Sequence, residues 1–202
     1  MAIAALAIYV GWAAGAFGWR SYAQWRATGD AGFRAVGLRP GSVQWWVRVA
    51  FTGAILIGAA GPVAALSGLE PVAALDHPAA RIAGTVVAVT GTLATFAAQA
   101  AMGASWRIGV DESERTDLVT DGPFALARNP IFTAMIVTAV GLAAMTPNPV
   151  SLTGLVLTVA AIELQVRAVE EPYLHRTHGR HYLTYASRVG RFLPRVGRLP
   201  NP

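Results

Sequence analysis

Five long apolar segments constrain the fold of this chain more than any other feature of its sequence. They cover residues 3–19, 45–69, 79–102, 131–145 and 150–169. Hydrophobic stretches of about 20 residues are typical of helices that cross a bilayer. Only 13% of the residues are charged, against roughly 25% in soluble domains, so too little polar sequence remains to cover a soluble core of this size. The sequence therefore predicts an all-α integral membrane protein with about five transmembrane helices.

The distribution of arginine predicts the orientation of these helices. All of the basic residues are arginine, and they concentrate in the first and third connections and in the tail, which include Arg20, Arg26, Arg34, Arg39, Arg107, Arg115, Arg128 and Arg176 to Arg198. Cytoplasmic loops carry the excess of arginine and lysine. We therefore expect the N-terminus outside, the C-terminus and active site in the cytoplasm, and a bacterial inner membrane as the location. The net charge of +5 then indicates a lipid bilayer as the partner, and no nucleic acid.

The connections between segments predict one domain, residues 1–202, without defining its oligomeric state. Residues 1–104 hold three transmembrane helices, 105–130 a cytoplasmic loop, 131–169 a helical hairpin and 170–202 a cytoplasmic helical tail. The hairpin is expected to be tight because only Thr146-Pro-Asn-Pro149 joins its helices. Small residues such as Gly84 and Gly91 fill the third segment, which favours close helix packing in lipid. The first segment is followed by Arg20 without a clear cleavage site, so a retained helix is expected rather than a signal peptide.

Several kinds of chemistry are excluded or disfavoured by the residues present. The chain has no cysteine, which removes thiolate metal sites and cysteine nucleophiles. His175, His178 and His181 recur at every third position, but Pro172 and Gly179 argue against one continuous helix and no metal-ligand motif fits. We therefore predict no metal site. Glycine-rich phosphate loops and the Gly-x-Ser-x-Gly motif are also absent from the sequence.

Polar residues collect in two segments, 99–130 and 163–194. Glu163, Arg167 and Glu170 share one face of the fifth helix, which indicates either an ion-pair ladder or the lining of a polar pocket. Adjacent Glu170 and Glu171 point about 100° apart on a helix, so they need not share one site. One carboxylate can pair with arginine while the other accepts hydroxyl donors, although a solvated helix end is the simpler interpretation.

Two motifs carry a resemblance to a known family. LVTDGPFALARNPIF, residues 118–132, and EEPYLHRTHGRHYLTYASRVGRFLP, residues 170–194, resemble signatures of the isoprenylcysteine carboxyl methyltransferase and phospholipid methyltransferase family. The resemblance covers roughly the last hundred residues. It implies methyl transfer from S-adenosylmethionine, with the cofactor held on the cytoplasmic side by the last two spans, the preceding loop and the tail. It also implies a hydrophobic small-molecule or lipid acceptor that enters from the membrane.

The resemblance implies a set of cofactor-binding residues: Gly122, Pro123, Phe124, Arg128, Asn129, Pro130, Phe132, Glu170, Glu171, Gly179 and Tyr182. The chain departs from the family pattern where Asn129 replaces a histidine, Phe124 and Phe132 replace tyrosines, and His178 replaces a phenylalanine. Asparagine does not titrate near neutral pH, which argues against a general base at this position. Pro130 suits a first helical turn, where Arg128 and Asn129 would face an anion such as the cofactor's carboxylate.

The resemblance also implies that Arg128, Trp106 and Arg107 are the candidate catalytic residues. The family places residues near the reaction centre at the end of the third span, where Trp106 and Arg107 lie. Arg128 is expected to hold a carboxylate or phosphate, or else to anchor its loop on headgroups or cap carbonyls. Trp106 would form a wall of the acceptor pocket and Arg107 would contact an anionic group. Alternatively, both belong to the interfacial belt of aromatic and basic residues.

Two alternative functions remain at the level of sequence. Membrane sterol reductases are similar to this family in their C-terminal helices and bind NADPH. A non-catalytic membrane module that retains the fold is the other alternative. The sequence identifies neither the methyl acceptor nor the atom that is methylated.

Overall fold

The computed structural model describes residues 1–34, 39–110 and 115–201, so part of the polar segment 99–130 lies outside the described residues. Seven helices form within these ranges: α1 Ala2–Thr28, α2 Val43–Leu66, α3 Pro78–Ala101, α4 Pro123–Leu126, α5 Pro130–Met145, α6 Pro149–His178 and α7 Arg180–Arg188. Short 3₁₀ turns occupy Ala73–Leu75 and Gly103–Ser105.

The helices confirm the prediction of an all-α integral membrane protein. Four of them, α1, α2, α3 and α6, are long and apolar enough to cross a bilayer. Helix α5 is apolar but has 16 residues, or about 24 Å, which is shorter than the hydrocarbon core of about 30 Å. Each of the five predicted segments corresponds to one of these helices.

Helix α1 extends nine residues further than the predicted first segment, which ended at Trp19. The expectation that Arg20 and Arg26 lie in a loop is wrong, because Arg20–Thr28 is helical. Arg20 Nη2 donates to the carbonyl of Gly103 (2.6 Å), and Gln24 Nε2 donates to the carbonyl of Ala104 (2.9 Å). These bonds hold polar residues of α1 against the end of α3, where the helix continues beyond the apolar segment after a π-helical stretch at Ala14–Trp19.

Helix α6 also extends beyond its predicted end at Val169 and passes through Pro172. A wide π-helical turn at Val166–Glu170 precedes the proline, and such a turn re-registers the hydrogen bonds of the helix. The helix ends at Gly179, whose φ of +52° favours glycine. His175 and His178 therefore share α6 while His181 lies on α7. The expectation of a break at Gly179 is confirmed, whereas the expectation that Pro172 interrupts the helix is wrong.

Close approach of helix backbones holds the bundle together within the membrane. A Cβ atom built on Gly84 of α3 would lie 2.8 Å from the carbonyl oxygen of Gly141 on α5. A Cβ on Gly154 of α6 would lie 3.2 Å from the Cα of Gly58 on α2. Such approach gives dense van der Waals contact where lipid supplies no hydrophobic drive. The prediction that small residues of the third segment serve packing is confirmed.

The hairpin between α5 and α6 is as tight as its sequence predicts. Asn148 accepts a hydrogen bond from the backbone amide of Ser151 (2.9 Å) through its side chain, which caps α6. Its Nδ2 donates to the carbonyl of Gly61 on α2 (2.9 Å). The hairpin is thereby fixed to α2 at the end of the bundle opposite to Arg128.

Candidate functional site

The DGPFALARNP stretch forms a turn, the short helix α4 and the start of α5. Gly122 has a φ of +56°, and Pro123 begins α4. Phe124 is buried, and its carbonyl accepts a hydrogen bond from the hydroxyl of Tyr185 on α7 (2.6 Å). Pro130 begins α5, as predicted.

The tail after α7 folds back alongside this stretch. Ala127 and Gly190 form an isolated parallel β-bridge, and the amide of Arg128 donates to the carbonyl of Gly190 (2.8 Å). The backbone amide and the Nδ2 of Asn129 both donate to the carbonyl of Arg191 (3.1 Å each). The side-chain amide of Asn129 therefore joins the loop to the tail and makes no capping hydrogen bond to α5.

Arg128 is the centre of this tail junction, which comprises residues 127–129 and 190–192 together with Glu171. Its side chain is 2% exposed. The guanidinium donates to the carbonyls of Ala186 (2.9 Å), Val189 (3.0 Å) and Gly197 (3.1 Å), and to the Oε1 of Glu171 (2.6 Å). The Nε atom is buried and has no hydrogen-bond partner among the described residues.

The adjacent carboxylates of Glu170 and Glu171 have different surroundings. Glu171 accepts from Arg128 and also from Arg191, whose Nε and Nη2 each lie 2.8 Å from one of its oxygens. This hydrogen bonding with Glu171 raises the pKa of Arg191. Within the described part of the chain, the carboxylate of Glu170 accepts a hydrogen bond only from Gln165 Nε2 (3.1 Å). Glu170 thus keeps acceptor capacity that Glu171 has used.

Two buried tyrosines of α7 pack beside the tail junction. Tyr182 is 1% exposed and packs edge-on to Tyr185 with ring centroids 6.5 Å apart. Burial raises the pKa of Tyr182 to about 12 and raises the pKa of Tyr185 as well. Both hydroxyls therefore remain protonated at neutral pH, and that of Tyr185 donates to the carbonyl of Phe124.

Trp106 and Arg107 belong to a second junction, in which residues 30–34 lie alongside residues 106–108. We call it the first-loop junction. Phe33 and Ile108 form another isolated parallel bridge, with the amide of Ile108 donating to the carbonyl of Gly32 (2.8 Å). Trp106 is buried, and the guanidinium carbon of Arg20 lies 4.7 Å from its ring centroid. Arg107 Nη1 donates to the carbonyls of Ala104 (2.7 Å) and Trp106 (2.8 Å).

Asp30 supplies the carboxylate of this first-loop junction. It accepts hydrogen bonds from Arg34 and from the amide of Gly32 (2.9 Å), and Arg107 lies 3.9 Å away. The hydrogen bond from Arg34 and then that from Gly32 hold the pKa of Asp30 well below its usual range. Its side chain is nonetheless 39% exposed, so water screens the interaction.

The predicted site residues therefore divide between these places. The tail junction brings together Phe124, Arg128, Asn129, Glu171 and Tyr182, with Gly122, Pro123, Pro130 and Glu170 next to them in the chain. Phe132 packs against Phe51 of α2, with ring centroids 6.0 Å apart, and Gly179 separates α6 from α7. No hydrogen bond or ion pair among the described residues joins Arg128 to Trp106 or Arg107. Their assignment to one reaction centre stays a prediction.

The sequence interpretation did not single out Arg191 and Tyr185 as site residues. By sequence Arg191 contributes only to the charge of the tail, yet in the structure it shares the carboxylate of Glu171 with Arg128. Both residues occupy fixed positions of the tail motif, the second tyrosine and the arginine before the final proline. The motif therefore contained the signal that could have identified them.

Glu163 and Arg167 form an ion pair on the outer surface of α6, with side chains 37% and 58% exposed. The ladder interpretation therefore applies to this pair, while Glu170 contacts Gln165 instead. No group of three potential metal-binding side chains occurs within residues 1–34, 39–110 and 115–201.

Comparisons with known proteins agree on one kind of protein. The sequence model of the family described as phospholipid methyltransferase matches residues 79–181. Over 89 residues the chain is 32% identical to Protein-S-isoprenylcysteine O-methyltransferase B of Arabidopsis thaliana, covering 44% of this chain and 45% of that protein. Over 115 residues it is 30% identical to Protein-S-isoprenylcysteine O-methyltransferase A of the same plant, covering 56% and 58%. The chain thus spans about half the length of these curated relatives. No solved structure gives a significant match.

Proposed function

The chain belongs to the phospholipid methyltransferase family, and from this premise we propose that it transfers the methyl group of S-adenosylmethionine to a lipophilic acceptor in the membrane. Members of the family are membrane methyltransferases that use this methyl donor. The matched residues run from α3 to α7 and include the loop, the hairpin and both glutamates of the tail. We place the donor at the end of the bundle that carries Arg128, which the positive-inside rule assigns to the cytoplasm.

The unequal pairing of Glu170 and Glu171 is the observation that carries this proposal. A carboxyl group has two oxygens that can accept several hydrogen bonds, and Glu170 accepts one among the described residues, from Gln165. The two hydroxyls of a ribose match this spare capacity, as in other sites where a carboxylate binds a nucleotide sugar. Glu171 cannot serve in the same way, because Arg128 and Arg191 already engage it.

Arg128 offers a second feature that fits the donor. Its buried Nε is a donor without a partner among the described residues, and a carboxylate such as that of the methionine moiety would supply one. The four hydrogen bonds of its other nitrogens fix the guanidinium in place. Arg128 would therefore position the ligand without moving, and the hydroxyl of Tyr182 next to it would add a neutral donor.

The residues present suit a reaction that depends on positioning. S-adenosylmethionine supplies an electrophilic methyl group on a sulfonium, and the acceptor atom displaces the sulfur in line. Holding two reactants in this geometry can lower a barrier by about 7–11 kcal/mol. The protein needs no covalent nucleophile, which agrees with the absence of cysteine. Asn129 is bonded to the carbonyl of Arg191 and would act in holding the tail, not as a base.

Calorimetric titration of the purified protein in detergent micelles tests the proposal. We expect saturable binding of S-adenosylmethionine and of its demethylated product, and none of NADPH. Glu170→Gln should weaken both sulfur ligands at least tenfold, because a neutral amide is a poorer acceptor for two hydroxyls. Glu163→Gln is the matched control, since it makes the same change on the same helix at an exposed ion pair; it should leave affinity within about twofold.

The outcomes separate the alternatives. Binding of NADPH alone would favour a reductase, and binding of none of the three ligands would refute methyl transfer. Equal affinities for the wild type and Glu170→Gln would refute the assignment of the ribose to Glu170. The acceptor itself is then sought by offering native lipid extract with labelled donor and identifying the methylated lipid by mass spectrometry.

A further inference from the structure

A small cavity lies inside the membrane-spanning part of the bundle, among α1, α2, α5 and α6. Its volume is about 40 Å³, and its lining is mainly apolar, with Trp12, Phe51, Leu142 and Gly154 contributing from the four helices. A cavity of roughly 10–15 Å³ on this measure already holds a water molecule. The space is therefore large enough for a small group of a ligand.

Trp12, one of the lining residues, carries a polar atom that lacks a partner. The indole Nε1 of Trp12 is buried without a hydrogen bond among the described residues, and the whole side chain is 5% exposed. Three other polar side chains of the lining have partners. The hydroxyl of Tyr9 donates to the carbonyl of Ile55, that of Thr138 to Ala134, and that of Ser151 shares a bond with Thr146.

An unpartnered indole N–H is unfavourable at this depth. Trp12 lies about ten residues into α1, which is about 15 Å along the helix and close to the middle of a bilayer. Lipid chains offer no hydrogen-bond acceptor there. A buried donor normally has a protein, water or ligand partner.

We propose that this cavity binds a carbonyl oxygen carried on an apolar molecule, which accepts a hydrogen bond from Trp12 Nε1. An acceptor oxygen is required because the free group is a donor only. A neutral carbonyl fits better than a charged group, since the walls offer no opposite charge and burial of an ion would be costly. A purely hydrocarbon chain would fill the space but leave the N–H unpaired.

The position of the cavity connects it with the polar end of the bundle. Thr158 lines the cavity, and Glu170 lies twelve residues further along the same helix α6, a separation of about 18 Å. A lipid whose reacting end lies near Glu170 would extend its chain towards Trp12. The ligand is then the methyl acceptor, an assignment that rests on the proposed function, whereas binding of the carbonyl does not.

Nuclear magnetic resonance of protein labelled with ¹⁵N-tryptophan tests the hydrogen bond directly. The chain has six tryptophans, and Trp12→Phe identifies the indole resonance of Trp12 by its loss. We expect 2-tridecanone to move this resonance downfield in a saturable manner and tridecane to leave it unmoved. The ketone should leave the indole resonance of the exposed Trp46 unchanged.

Four results would overturn the proposal. No shift with the ketone, or equal shifts with ketone and hydrocarbon, would exclude a carbonyl site. Rapid exchange of the Trp12 indole proton with water would identify water as the partner. An upfield position unaffected by either compound would indicate that the N–H faces the ring of Phe17, which lies edge-on to Trp12 at 5.6 Å.

A competition assay tests the assignment to the methyl acceptor separately. 2-Tridecanone should inhibit methylation of native lipid extract by the wild type, and at least fivefold more ketone should be needed for Trp12→Phe. Equal inhibition of both proteins would overturn that assignment. Failure to bind S-adenosylmethionine in the calorimetric titration would refute the proposed function and leave the resonance experiment interpretable.

Discussion

The tail junction and the first-loop junction are built on the same plan. In each, a segment after one helix forms an isolated parallel bridge with a segment next to another helix: Ala127 with Gly190 in one, Phe33 with Ile108 in the other. In each, a carboxylate is shared by arginines, Glu171 in the first and Asp30 in the second. Both lie at the end of the bundle that holds the candidate site.

Burial distinguishes the two junctions. The side chains of Arg128 and Glu171 are 2% and 14% exposed, whereas that of Asp30 is 39% exposed. Ion pairs in contact with water contribute little, while breaking a buried pair is strongly destabilising. The same plan therefore has different consequences. We expect the tail junction to depend on its charges and the first-loop junction to depend on its buried neutral groups.

The largest expected effect follows from Arg128→Ala. This change removes four hydrogen bonds and deprives Glu171 of one of its two cations. It also leaves the carbonyls of Val189 and Gly197 without a donor among the described residues, while that of Ala186 keeps the amide of Leu199. We expect a loss of about 3–5 kcal/mol in the free energy of unfolding, measured by denaturant titration in mixed micelles. Limited proteolysis should also cut the tail after α7 more readily.

Arg167→Ala provides the control for this experiment. Arg167 pairs with Glu163 on α6, but its side chain is 58% exposed. The variant should lose no more than about 1 kcal/mol. Similar losses for the two variants would mean that burial of the arginine does not determine its contribution, and the comparison of the junctions would fail.

A smaller effect is expected from Gln24→Leu, which removes a buried neutral side chain of α1 next to the first-loop junction. Gln24 is 1% exposed and donates to the carbonyl of Ala104. Leucine has a similar size but removes this hydrogen bond, while Arg107 Nη1 still donates to the same carbonyl. We therefore expect a loss of about 1–1.5 kcal/mol in the same titration, the upper part of the range for one hydrogen bond. Binding of S-adenosylmethionine should be unchanged. If the variant is as stable as the wild type, the buried amide is not what holds α1 to the end of α3.

The sequence predicted the bundle well because the bilayer restricts what an apolar segment can do. The predicted segments 131–145 and 150–169 lie in α5 and α6, which form the predicted tight hairpin. Hydrophobicity could not locate the true ends of α1 and α6, because hydrogen bonds and not lipid define them. Arg20 and Gln24 remain helical through carbonyls of a distant turn, which no local pattern reveals.

The site was predictable in its composition but not in its connections. The motifs indicated that Arg128 and Glu171 belong to one region, and the structure pairs them at 2.6 Å. The sequence allowed one glutamate to pair with arginine and the other to accept hydroxyls, but could not tell which. That choice depends on how the tail folds back to place Arg191 against Glu171, which is a tertiary contact.

A still smaller effect is expected from Tyr185→Phe in the tail junction. The variant loses the hydrogen bond from the hydroxyl to the carbonyl of Phe124 and keeps the ring. We expect a loss of about 1 kcal/mol, the net contribution of one such bond. Tyr22→Phe is the control, because Tyr22 is 50% exposed; it should leave stability unchanged. A loss above that of Gln24→Leu would mean that the tail junction also depends mainly on neutral groups.

The smallest effect is expected from Asp30→Asn, the counterpart in the first-loop junction of a change at Glu171. Asparagine keeps an oxygen for the amide of Gly32 but removes the charge that faces Arg34 and Arg107. Because water screens this exposed group, we expect a loss below about 1 kcal/mol.

The pH dependence of this small effect has a definite sign. The hydrogen bonds of Arg34 and Gly32 favour the ionised form of Asp30, so the pKa of Asp30 is lower in the folded protein than in the unfolded chain. Its contribution to stability is therefore fully present above the pKa of the unfolded chain and disappears as the pH falls through the lower pKa of the folded protein. Titrations at pH 7 and pH 3 should therefore show a smaller difference between variant and wild type at pH 3. A large loss at pH 7 would show that exposure does not weaken this junction, and the distinction drawn from burial would not hold.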